Sequence, residues 1–367
     1  MRIVDSRNRT LFSTRLLRIL GLSIVVASAG CVLHVNRELS PPAGFTYTPT
    51  TGGHPEFSDP APADKPPEVR LSPMDQTHAH DILRIEYASS GHNGHPQNIV
   101  EGLYLRSRDP GPKKLVVVMP IWGTSTYPPD KISHGYARHA GKDANVIWIY
   151  DAAPLFPWPT LRAAKTEAEF MAMARDSAER YRSAVVDMRR LIDWAATRPA
   201  EIDPTRIAFV GFSMSALVTE TLLGNDSRID AAVFMMGAAH YADVFASCGD
   251  RVAEVRDHTM KTFGWTLDQY RDFFASLFDT ADPTMYAGHY DPNKILMIDT
   301  YFDDCMPESA RAALWEVTGR PQRITLLYHH RTAFYSLTPL GLNFTRRKIY
   351  HFLDKALETG TDSKPPH

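Results

Sequence analysis

Apolar and polar residues first alternate cleanly at 83–87, where Leu83, Ile85 and Tyr87 are separated by Arg84 and Glu86, the two-residue period of a half-buried strand. Residues 99–105 offer a second strand after a turn rich in Gly and His. The pattern then changes. Residues 115–119 and 146–150 are continuous apolar runs, as expected of strands covered on both faces. Tyr181, Val185, Met188, Ile192 and Ala195 recur at three and four residues, which predicts a long helix, and Pro199 stops it. Strands at 206–210 and 231–235 enclose a helix over 216–223 that closes at Gly224-Asn225. A strand at 294–298, a helix around 309–317, a strand at 324–328 and a last helix near 344–357 continue the order. Such alternation predicts a mostly parallel sheet with helices on both faces, entered through an antiparallel hairpin.

Composition adds little to this. The 367 residues suit one large α/β domain, and 44% hydrophobic against 22% charged residues supports a substantial core. A net charge of -2 supplies no basic field, so a nucleic-acid partner is not expected. The ends depart from the average. Arg2, Arg7, Arg9, Arg15 and Arg18, against Asp5 alone, precede an apolar run over 19–30 that stops at Cys31, the arrangement of an export signal. The run is short of the ~20 residues that span a bilayer, although Val32, Leu33 and Val35 extend it towards an uncleaved anchor. Ser28, Ala29 and Gly30 before Cys31 resemble a bacterial lipobox, which would make Cys31 a lipidated N-terminus in the cell envelope. Without residues 1–30 the chain holds 35 basic and 41 acidic residues, net -6. Residues 31–74, with eight prolines between 41 and 67, read as a lipidated or anchored N-terminus and tether. Residues 75–357 form the expected catalytic domain, with 238–293 long enough for a helical lid, and 358–367 an expected disordered tail. Cys248 and Cys305 are an even pair in an oxidising compartment, open to either a disulfide or two buried thiols.

The candidate chemistry starts at Gly211-Phe212-Ser213-Met214-Ser215, set between an apolar strand and a helix. A serine on such a turn has the placement of a nucleophile elbow: small flanking residues relieve crowding, and the helix N-terminus favours negative charge. With the approach Asp193-Trp194 to Asp203-Pro204 and Arg206 through Ser213, the sequence resembles the α/β-hydrolase family of esterases, dienelactone-hydrolase-like enzymes and related peptidases over residues 75–357. The resemblance implies the α/β-hydrolase fold and an acid, then a histidine, beyond the serine. Asp303, in Asp303-Asp304-Cys305-Met306-Pro307, is similar to the family's Asp-x-x-Val-Pro turn, with Asp304 its rival. His330 follows the strand at 324–328, with His329 its rival. The backbone N–H groups of Met214 and Trp122 are the implied oxyanion hole, although Pro120-Ile121-Trp122-Gly123 departs from the usual His-Gly-x-Gly and Ser215 stands for the elbow's last glycine.

The expected activity is hydrolysis of a carboxylic ester through an acyl-enzyme, on a small-molecule or lipid-like acyl substrate, with a membrane contact through the N-terminus and no cofactor. A thioesterase, peptidase or acyltransferase would use the same parts, and a non-catalytic envelope binding protein would keep the scaffold alone. Aromatic residues Phe156, Trp158, Phe212, Tyr241, Phe245, Trp265, Tyr301 and Phe302 fall near the strand ends where ligands bind in open α/β sheets. His78, His80 and Asp81 form a His-x-His-Asp string with no further ligands nearby, so no metal is expected. The sequence does not set the oligomeric state.

Overall fold

The computed structural model describes residues 32–50, 52–59, 66–91, 97–121, 127–150 and 154–358. The expected export segment, the lipidation position Cys31 and the tail beyond Glu358 lie outside the described residues. The strands are β1 (His34–Arg37), β2 (Arg70–Gln76), β3 (His80–Ala88), β4 (Ile99–Ser107), β5 (Lys113–Val118), β6 (Ala144–Ile149), β7 (Ile202–Phe212), β8 (Ala231–Met235), β9 (Ile295–Thr300) and β10 (Gln322–Leu326). They form one sheet in the order β1-β10-β9-β8-β7-β5-β6-β4-β3-β2. From β6 to β10 neighbours run parallel, whereas β2, β3, β4 and the β1 edge pair antiparallel.

The apolar runs explain the layers. Leu115 and Val117 of β5, with Ile207 and Phe209 of β7, enter a core on one face. Val116, Val118, Ala208, Val210 and Phe212 enter a second core on the other. Helices α1 (Pro129–Ala140) and α9 (Phe344–Ala356) cover the second core. The first is covered by α3 (Glu167–Ala196), α4 (Met214–Asn225) and α8 (Glu308–Val317), together with the short α2 (Trp158–Arg162). Helix α3 begins well before the periodic stretch that predicted it, because Thr166 caps it by accepting from the Glu169 N–H, with Glu167 and Glu169 in the positive first turn. Residues 238–293 fold mainly as α5 (Tyr241–Ser247), α6 (Asp250–Phe263) and α7 (Leu267–Phe278). Among the described residues no helix is long and apolar enough to cross a membrane.

The tether expected over 31–74 is corrected by the structure. Residues 34–37 pair with β10 at one sheet edge, and β2 pairs with β3 at the other, so the sheet begins before residue 75. Between them the described residues lie on the body. Phe57 is wholly buried in the first core, the His54 N–H donates to Asn225 Oδ1 at 2.6 Å, and the Thr48 N–H donates to the Gly288 carbonyl at 2.7 Å. The prolines do prevent a strand ladder here, but proline keeps its carbonyl acceptor, and one large apolar side chain, on the 3-10 turn Pro55–Phe57, anchors the segment. Arg189 donates to the carbonyls of Gly52 and Phe57, doing for this stretch what a strand neighbour would do.

Candidate active site

β7 ends and α4 begins with Ser213 between them, and the serine backbone has φ 53° and ψ -117°. A side-chain-bearing residue adopts such a conformation only where its surroundings impose it. Here the Ser213 N–H donates to the Met235 carbonyl of β8 at 2.8 Å, and Gly211 makes the turn sterically feasible, since a Cβ there would stand 2.4 Å from the Ser215 carbonyl oxygen. Ser215 has a role that sequence reading did not reveal. Its buried hydroxyl accepts from the Phe212 N–H at 2.8 Å and donates to the Phe212 carbonyl at 3.1 Å, bracing the turn. A glycine would leave the turn without that brace.

Three loops from the carboxyl ends of parallel strands meet above the serine. Ser213 Oγ is 2.9 Å from His330 Nε2, and His330 Nδ1 lies 2.9 Å from Asp303 Oδ1 and 3.1 Å from Oδ2. The Asp303 carboxylate is fully buried and accepts further bonds from the Thr300 hydroxyl at 2.6 Å and the N–H groups of Cys305 and Met306 at 2.9 and 2.7 Å. Burial alone would raise this carboxyl, but the hydrogen bond and charge of His330, the Thr300 hydroxyl and the Met306 N–H outweigh it and hold the pKa down to about 2. Thr300 is the second group that no sequence pattern singled out, because a threonine ending a strand carries no periodic signal.

The rivals separate cleanly. Asp304 is exposed, and its backbone carbonyl accepts from the Gly249 N–H. His329 is exposed against the Phe302 ring, whereas His330 is buried. Met214 opens α4, where the first N–H groups have no partner within the helix. Trp122, the other expected oxyanion donor, lies outside the described residues.

The serine and histidine border a cavity of about 380 Å³. Of the eight aromatic residues expected near it, Phe156, Trp158 and Phe245 line it, with the Phe156 and Trp158 rings stacked at 4.8 Å. Phe212 and Tyr241 are buried in the two cores, Trp265 packs edge-on against Phe273, and Tyr301 and Phe302 face outwards. α5 and α6 form one wall. Cys248, at the end of α5, is disulfide-bonded to Cys305 in the acid's own loop, so this wall and the loop holding Asp303 are covalently joined. At the rim Arg331 pairs with Asp250 at 2.9 Å. The His-x-His-Asp string is occupied structurally: His80 Nε2 lies 3.1 Å from the Ala144 carbonyl, and Asp81 pairs with Arg106 at 2.9 Å.

Behind the elbow helix, a buried polar cluster joins three helices. The Tyr241 hydroxyl donates to the Leu217 carbonyl at 2.9 Å and to Glu220 Oε2 at 3.3 Å, and Tyr181 meets Thr221 Oγ1 at 2.8 Å. Burial pushes the Glu220 carboxyl well above the usual range, the Tyr241 hydrogen bond opposing it only in part.

No family model and no curated protein matches the sequence. Solved structures do. The chain is similar to an acetyl xylan esterase from Paenibacillus sp. R4, with a TM-score of 0.57 and 17% identity over 80% of this chain and 90% of that one. Acetyl xylan esterase 1 from Thermoanaerobacterium sp. JW/SL YS485 aligns with a TM-score of 0.55 and 13% identity, covering 82% and 96%. An S-formylglutathione hydrolase from Agrobacterium tumefaciens aligns at 0.50 and 12%, covering 79% and 100%. With the parallel sheet, its antiparallel entry and the strand-to-helix turn at Ser213, these likenesses identify the fold as that of the α/β-hydrolases.

Proposed function

We propose that the protein is a serine hydrolase that cleaves a carboxylic ester through an acyl-enzyme. The observation that carries this reading is the unbroken hydrogen-bonded chain from Ser213 through His330 to Asp303, opening onto an apolar cavity. Ser213 Oγ attacks the acyl carbon while His330 Nε2 takes its proton, and the carbonyl π electrons move to oxygen. The Met214 N–H, at the positive end of α4, donates to that oxyanion, and the loop of Trp122 supplies the second donor. Collapse breaks the bond to the alcohol, which leaves with the proton from His330. A water then attacks the acyl-serine by the same route, releasing the carboxylic acid and restoring the serine.

Asp303 stays ionised throughout, fixes the His330 tautomer and stabilises the imidazolium. Phe156, Trp158 and Phe245 favour an apolar group on the substrate. The reading extends to location: the Arg-rich, apolar 1–30 segment and Ser28-Ala29-Gly30-Cys31 support export to the cell envelope with a lipid on Cys31.

A fluorophosphonate probe with adduct mapping, alongside p-nitrophenyl ester cleavage by Ser213→Ala and His330→Ala, tests the chemistry. Labelling at Ser213 with cleavage lost in both variants is expected. Absence of labelling together with absence of turnover across ester lengths would leave a binding protein on a hydrolase scaffold. Mass spectrometry of the mature N-terminus tests the anchor, which an unmodified Cys31 or an intact Met1 would rule out.

A further inference from the structure

Among the described residues, twelve large hydrophobic side chains are exposed, and eight of them gather at one corner of the molecule. The sheet register shows how. His34 pairs with Leu326, which places Leu33 beside Leu327, and the Leu327 N–H donates to the Leu33 carbonyl at 2.9 Å. Leu326 is aligned with Thr300, so Tyr301 lies beyond Leu327 on the same face, and Val35 is on that face two residues from Leu33. Phe302 touches the Tyr301 ring at 4.9 Å and continues the row towards the site. On the opposite face, the His34 ring lies 4.3 Å from Phe344 at the start of α9, two residues after Leu342. Leu340 and Tyr335 adjoin Leu342, since the backbone around Gly341 packs directly on Tyr335. Leu340 is 74% exposed, Leu33 64% and Tyr301 60%. Leu33, Val35, Leu327 and Tyr301 share one face of this corner with Phe302 beside them, and Tyr335, Leu340 and Leu342 lie by α9 towards the other; soluble monomers seldom leave so many apolar side chains uncovered together.

We infer that this corner docks on the surface of an anionic lipid bilayer, with the mouth of the Ser213 cavity facing the membrane beside it. Three observations select lipid as the occupant. The described chain enters the corner at Val32, directly after Cys31, the position proposed to carry the lipid. The residues presented are leucines flanked by Tyr301, Phe302 and Tyr335, and aromatic rings with a polar or amphipathic edge favour the bilayer interface. Charge adds to this: Arg347 and Lys348 are exposed on the first turns of α9, with Lys348 over the Phe344 ring. The orientation follows from contact. The Phe302 ring is 5.6 Å from the His329 ring, and His329 adjoins His330, so a membrane touching Phe302 lies next to the opening through which an ester would pass. The inference does not depend on hydrolysis, and turnover of a soluble ester, measured on the same samples, reports on that reading separately.

The test is photocrosslinking of the full chain in vesicles of phosphatidylethanolamine and phosphatidylglycerol, with benzoylphenylalanine replacing Phe302, Leu340 or Met285 in separate samples. Met285 is exposed and apolar but lies on the short turn after α7, outside the corner. Lipid adducts at positions 302 and 340 and none at 285 are expected, with the yield at 302 and 340 falling when phosphatidylglycerol is omitted. Adducts at 302 and 340 to a second chain, or to residues 1–31 of the same chain, would overturn the inference by naming a protein occupant. Equal lipid yields at all three positions, or none at 302 and 340, would overturn it as well.

Discussion

Replacing Asp303 with asparagine separates the acid's two duties, because the shape is kept and only acceptors are lost. Asp303 Oδ1 accepts from the Cys305 and Met306 N–H groups, so the amide oxygen must take that position and the amide nitrogen falls at Oδ2. There it meets the Thr300 hydroxyl, which can rotate to accept, and His330 Nδ1, 3.1 Å away. An amide donor 3.1 Å from Nδ1 competes with the Nδ1–H bond to the oxygen at 2.9 Å and favours the tautomer with its proton on Nε2, which points a hydrogen at Ser213 Oγ in place of a lone pair. The general base is lost, and the wrong tautomer lowers kcat about ten-thousand-fold, about 5 kcal/mol of barrier.

Stability changes by a smaller and separable amount. A carboxyl at about 2 in the folded protein against 3.8 unfolded contributes about 2 kcal/mol. Since the folded value is the lower one, this contribution is fully present above pH 3.8 and disappears as pH falls through about 2. Asp303→Asn should therefore unfold at lower urea concentration at pH 7, with the difference from wild type shrinking at acid pH. The assay is the initial rate on p-nitrophenyl acetate at pH 7, at a temperature where circular dichroism shows both proteins folded, with Asp304→Asn in parallel. Asp304→Asn should keep kcat within a few-fold, its side chain being exposed. Retention of more than a tenth of wild-type kcat by Asp303→Asn, or an equal loss in Asp304→Asn, would refute the assignment.

Phe57→Ala should reduce stability by about 3–5 kcal/mol in urea unfolding, the range for emptying a fully buried aromatic site, and a change below 1 kcal/mol would restore the tether. Glu220→Gln should flatten the pH dependence of stability: the unfolded carboxyl ionises above about 4.5 while the buried one stays protonated, so wild-type stability falls with rising pH, by up to about 1.4 kcal/mol per unit, and the variant's does not. Urea midpoints of the two proteins at pH 5 and pH 7 check it, and parallel pH profiles would contradict it. Converting both Cys248 and Cys305 to serine opens a loop with a sequence separation of 57, for which chain entropy gives a loss of about 4 kcal/mol; an unchanged melting temperature would show that the bond contributes nothing.

The parallel strands were legible because burial on both faces leaves an unmistakable apolar run, as at Leu115 to Val118 and Ala231 to Met235. The meeting of Ser213, Asp303 and His330 was legible for another reason: each follows a parallel strand, and such strand ends share one edge of the sheet. The edge strands were not legible. β2 reads Arg-Leu-Ser-Pro-Met-Asp-Gln and β1 His-Val-Asn-Arg, short and polar with a proline in one, as edges exposed to water tolerate. Phe57 was hidden because a single buried ring among prolines has no period. Ser215 and Thr300 were missed for a related reason, since their importance lies in where a hydroxyl points, a property fixed by the turn and invisible in the residue type.

The return of β1 to β10 also sets an order of events in time. His34 and Leu326 are partners from opposite ends of the chain, and His54 reaches Asn225 across 171 positions. Residues 34–37 must therefore wait for β10, synthesised far later, before they can dock, whatever the speed with which β5 to β8 assemble. Loop closure over such distances is slow, and until it occurs the β10 edge remains an open row of hydrogen-bonding groups. A chain shortened past Arg37 would keep that open edge permanently, and its characteristic fault would be self-association during refolding.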